Sequence, residues 1–146
     1  MLKIKTKIRA KRIFSLIVGS VLCVYILIPL FSALFLGCLP LVPIEYVLLA
    51  SSILVAMAVA ASGFLMSLII SYFSINREIR TTLYGVLIAT ILLVVYAFVY
   101  CPVPPQINRT HLLLKITLEI AVDVVFLLGF AIMGAWLVAR KRHSKV

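Results

Sequence analysis

The sequence predicts an all-α membrane protein of four transmembrane helices, arranged as two antiparallel hairpins with both ends cytoplasmic. Three observations point there. Apolar types make up 65% of the 146 residues, with a mean hydropathy of +1.27, far above the roughly half-apolar composition of soluble domains. The apolar residues fall in continuous runs of about twenty, the length a helix needs to cross a bilayer. The charged residues stand between those runs, not within them, apart from Glu45 at the very start of the second and three on the last one. Only four acids occur (Glu45, Glu78, Glu119, Asp123), too few to keep such a surface in water. In hydrocarbon an unpaired backbone group is costly, so only helices or closed barrels span it. A barrel would show segments of about ten residues alternating with period two, and these runs do not alternate.

The first run covers 13–37 and contains Pro29, which should kink it. The second, 44–73, is longer than a perpendicular crossing requires and should tilt or protrude. The third is 82–100, and the fourth is 111–139 with Thr110 placed as an N-cap. At this length the chain makes one four-helix domain, residues 1–146.

Orientation follows from the basic residues, because cytoplasmic loops carry an excess of Lys and Arg. Lys3, Lys5, Lys7, Arg9, Lys11 and Arg12 precede the first run, and Arg77 and Arg80 lie between the second and third. Arg140, Lys141, Arg142 and Lys145 follow the fourth. That puts twelve of the fourteen on one side, with only Arg109 and Lys115 on the other. A basic N-terminus also suits a secretory signal. The apolar run is much longer than a signal core, and Leu36 is a poor fit to a lipoprotein cleavage site at Cys38, so a retained span is expected. Basic tails with no soluble module beside them fit anionic lipid headgroups at the cytoplasmic face, at about 1 kcal/mol per residue. Nucleic acid is not expected as a partner.

The two hairpins would meet at the charged turn 74–80. Their outer turns are alike, Cys38-Leu39-Pro40-Leu41-Val42-Pro43 and Cys101-Pro102-Val103-Pro104-Pro105, and Gly63-Phe64 parallels Gly129-Phe130. These matches are too few to establish a duplication. Gly63, Ser67 and Ser71 form a small-residue ridge with period four, and Ala131 and Ala135 form a shorter one. Such ridges let helices approach closely, either within the bundle, the favoured reading, or between copies.

Lys115, Glu119 and Asp123 recur every four residues and so share one face of the fourth helix. Asp123 should lie about 6 Å deeper than Glu119. Acids at such depth usually face a bundle interior or an aqueous cavity. Three roles compete for them: an internal network in which Lys115 pairs with Glu119, an outward-opening proton, cation or cationic-substrate site, and contact with a polar helix of another subunit.

Cys38 and Cys101 end the outer sides of their helices and are candidates for a disulfide in an oxidising compartment. Asn108-Arg109-Thr110 is a glycosylation acceptor on the same side. His111 and His143 fall on opposite sides and cannot share an iron. No metal site, cofactor or enzymatic activity is expected, since no catalytic or phosphate-binding motif is present. Two functional classes are compatible with the sequence. One, the favoured reading, is a non-catalytic accessory, assembly or stabilising subunit, bound to other membrane subunits or to copies of itself. The other is a small oligomeric transporter, channel or lipid-carrier flippase that uses Glu119 and Asp123.

Overall fold

The computed structural model describes residues 2–41, 43–74, 77–100 and 109–144, and among these residues every regular element is helical. Four helical segments are long and apolar enough to cross a membrane: Arg9–Leu36, Leu49–Phe73, Glu78–Tyr96 and Leu114–Arg142.

The first span is built from α1 (Leu2–Leu22), a π-helical turn (Cys23–Leu27) and α2 (Ile28–Leu36). The helix therefore begins well before the expected residue 13. Lys and Arg are good helix formers, so the apolar run marks the membrane-embedded part of the helix and not its start. The irregularity expected at Pro29 is taken up one turn upstream. Proline has no N–H, and its ring crowds the carbonyl four residues back, that of Tyr25. The chain widens there, and the Ile28 N–H donates to the Cys23 carbonyl in an i to i−5 bond.

After two short 3₁₀ turns, Leu39–Leu41 and Ile44–Tyr46, α3 runs Val47–Phe73. The expected start at residue 44 belongs to the second of these turns. α4 (Glu78–Tyr100) opens four residues earlier than the apolar run suggests. Glu78 in its first turn suits the positive end of the helix dipole. α5 (Arg109–His143) also exceeds its expected bounds, 111–139. Its 35 residues extend about 52 Å, past a hydrocarbon core of about 30 Å.

α3 is the central helix. Half of its span is buried against the others, compared with 28% of the first and third spans and 22% of the fourth. It touches every other helix, α5 most extensively, and α1 and α5 also pack on α4. Gly63 lets α3 and α5 meet almost backbone to backbone: a Cβ there would stand 2.9 Å from the Leu127 carbonyl oxygen and 3.3 Å from its Cα. At Gly134 a Cβ would overlap the Ser67 hydroxyl and come within 3.1 Å of the Phe64 carbonyl. Ile70 of α3 is wedged against both Gly19 of α1 and Gly85 of α4.

Direct hydrogen bonds join the same helices. The Ser20 hydroxyl lies 3.0 Å from the Gly85 carbonyl and 2.8 Å from that of Leu16. Ser71 and Thr82 share a hydrogen bond of 3.2 Å. Large apolar side chains such as Phe14, Leu34, Leu49, Leu87, Leu118 and Val125 point outward. That is the reverse of a soluble surface and suits a lipid solvent.

One end of the bundle is fastened by Arg142. It donates to Glu78 Oε1 at 2.6 Å and to the Tyr72 carbonyl at 2.7 Å, so the end of α5 is tied to the start of α4 and the end of α3. The glutamate side chain is only 8% exposed and the arginine 32%. Low polarity around this pair strengthens the charge-assisted bonds. Arg140 lies over the Trp136 ring at 5.2 Å.

Candidate functional site

Away from the Arg142 end, α3 and α5 diverge to leave an open groove of about 510 Å³. Ser51, Ser52 and Val55 from α3 line it, with Leu118 and Val122 from α5 and Leu36 from the end of α2. Lys115, Glu119 and Asp123 line the same groove. The i, i+4, i+8 spacing along α5 sets these three on one stripe, and the stripe faces the groove. Lys115 and Glu119 are exposed, and Asp123, one turn farther along the helix, is half-buried. Among the described residues no ion pair joins Lys115 to Glu119. The groove therefore offers two carboxylates and one ammonium, with hydroxyl-bearing residues opposite and apolar walls on either side. Chemically it can receive a cationic or hydroxylated head attached to an apolar body.

Ser51 and Ser52 are site residues the sequence reading did not single out. Their signal is faint: two adjacent serines early in an otherwise apolar run, placed opposite the acids only by the pairing of α3 with α5.

The other singled-out residues lie elsewhere. Gly63, Ser67, Ser71, Ala131 and Ala135 are buried inside the bundle. Ser71 bonds to α4, and Ser67 donates back to the Phe64 carbonyl of its own helix at 2.7 Å. Gly134 completes the close approach between α3 and α5 and was not anticipated; its neighbours Ala131 and Ala135 were the available hint. Gly63 and Gly129, similar in sequence context, sit in unlike surroundings: Gly63 faces Leu127, whereas a Cβ on Gly129 would meet nothing within 4 Å. Cys38 carries a free, exposed thiol in the turn after α2. Cys101 and Asn108, and with them the disulfide and glycosylation expectations, lie outside the described residues.

No protein-family model, curated protein or solved structure matches this chain.

Proposed function

We propose that this protein binds a cationic amphiphile in the groove between α3 and α5 and moves it within or across the bilayer, as a small non-enzymatic transporter or lipid-carrier flippase. The observation that carries this reading is the gathering of Glu119 and Asp123 with Ser51 and Ser52 around a volume of about 510 Å³ between apolar walls. An internal network is less well supported, because Lys115 stands beside Glu119 without pairing to it. In this reading Asp123 and Glu119 attract the positive head, Ser51 and Ser52 orient it, and Leu36, Leu118 and Val122 hold the apolar body. We further read the four spans as two antiparallel hairpins with both ends cytoplasmic, on the strength of the basic-residue bias. The contact of Arg142 with both Tyr72 and Glu78 is consistent with that arrangement.

The test is equilibrium binding of a lipophilic cation, tetraphenylphosphonium, to the full chain in lipid nanodiscs. Saturable binding is expected. Asp123→Asn and Glu119→Gln should each weaken it about tenfold, the loss of one charge-assisted contact, while the size of the particle is unchanged. Absence of saturable binding, or neutral variants that bind as well as the parent, would sink the proposal.

The accessory-subunit reading has an observation of its own. Val125, Phe126, Phe130 and Met133 rim an open notch at Gly129 on the outer face of α5, a shape suited to another helix. Gentle extraction followed by sizing and mass identification separates the two: companion chains at fixed stoichiometry favour a subunit, and the chain alone or as a homo-oligomer favours a carrier.

A further inference from the structure

A second groove, of about 290 Å³, opens where α1 meets the start of α4, at the basic end of the bundle. Arg12 reaches it from α1, Arg77 from the residue just before α4, and Arg80 from the first turn of α4. Ile13, Leu16 and Tyr84 supply the apolar part of its wall. The carboxylate nearby belongs to Glu78, and Arg142 holds it at 2.6 Å. Arg77 and Arg80 are exposed at this groove, two positive charges beyond those of the Arg142–Glu78 pair. Like charges around one small volume repel unless an anion lies among them. The opening turn of α4 adds the positive end of its dipole.

We propose that this groove is a binding site for a phosphate group, presented by an anionic lipid headgroup. The guanidinium planes of Arg77 and Arg80 match phosphate in a two-point fashion that lysine cannot reproduce. Ile13 and Leu16 lie where the first span begins, so acyl chains attached to the phosphate pass directly into hydrocarbon along them. Tyr84 is more than half exposed beside them and suits the boundary between headgroups and chains. Three arginines from two parts of the chain converge on one volume, which distinguishes this site from the diffuse attraction of a basic tail to a charged surface.

The experiment uses the delipidated full chain and short-chain phosphatidic acid, with inorganic phosphate and short-chain phosphatidylcholine as parallel probes, read by native mass spectrometry. One phosphatidic acid per chain should be retained. Arg77→Gln with Arg80→Gln should weaken it about tenfold or more. Lys11→Gln with Lys141→Gln removes equal charge from exposed positions outside the groove and should change affinity less than about twofold. In the unaltered protein, bound lipid should also shield Arg77 and Arg80 from phenylglyoxal, a readout that requires no variant to fold. Equal losses in the two double variants, absence of shielding, or equal retention of phosphatidylcholine would each overturn the site. Inorganic phosphate binding as tightly as the lipid would overturn the lipid source.

Discussion

The contact between Gly63 and Leu127 fixes how closely α3 and α5 can approach, and adding a single methyl group there measures it. In Gly63→Ala the new Cβ would start 2.9 Å from the Leu127 carbonyl oxygen and from Cδ1 of the same residue. Ordinary contact begins near 3.4 Å, so the two helices must separate by roughly half an ångström, and a backbone oxygen cannot rotate away as a side chain can. Overpacking of this kind costs about 1–3 kcal/mol. Alanine returns about 0.5–1 kcal/mol as the better helix former. The net expectation is a loss centred near about 1 kcal/mol and reaching at most about 2.5 kcal/mol, roughly fivefold or more in the unfolding equilibrium. Gly129→Ala is the matched control on α5: nothing lies within 4 Å of its Cβ position, so only the propensity term acts and stability should hold or rise slightly. Unfolding in mixed micelles by increasing denaturing detergent, followed through the single tryptophan, Trp136, reads both variants. If Gly63→Ala is as stable as the parent, or the two variants fall together, the close packing of α3 on α5 is wrong.

Two further outcomes are expected. Arg142→Ala removes both the ion pair to the buried Glu78 and the bond to the Tyr72 carbonyl; it should cost about 1–3 kcal/mol in the same assay, and adding Glu78→Gln should recover part of the loss. Reporter fusions after residue 146 and at Gln106 should report opposite sides of the membrane, and matching signals would refute the two-hairpin topology with cytoplasmic ends.

The number of spans was legible in the sequence because each is a long run whose apolar length matches the bilayer. Their true ends were not. Lys and Arg continue a helix as readily as leucine does, so α1 reaches back to Leu2 and α5 on to His143 with no change in helical preference to mark the boundary. Helix pairing was hidden for a different reason. A helix that is apolar on every side has no stripe announcing which face is inward, so Ser51 and Ser52 gave no sign that they would stand opposite Asp123. The stripe of Lys115, Glu119 and Asp123 was readable because charge in an apolar helix is conspicuous and spacing alone sets its face. Glu78 was read only as part of a charged turn. Its partner, Arg142, lies 64 residues away, and only the folded bundle brings them together.

The π turn at Cys23–Leu27 gives the first span a phase as well as a bend. A π turn takes in one residue more than an α turn, and each residue advances the helix by about 100°. α2 is therefore rotated by roughly that angle from the orientation an unbroken α-helix would give it. Before the offset, Ser20 meets Gly85; after it, Leu36 reaches the rim of the groove between α3 and α5. The phase between these two placements depends on a residue count and not on the identity of any side chain between them. Removing one residue within 24–27 would leave every apolar character of the span intact and the contact of Ser20 with α4 in place, yet it would turn Leu36 away and widen the groove. A substitution scan of the span would pass over this dependence; single-residue deletions and insertions would expose it.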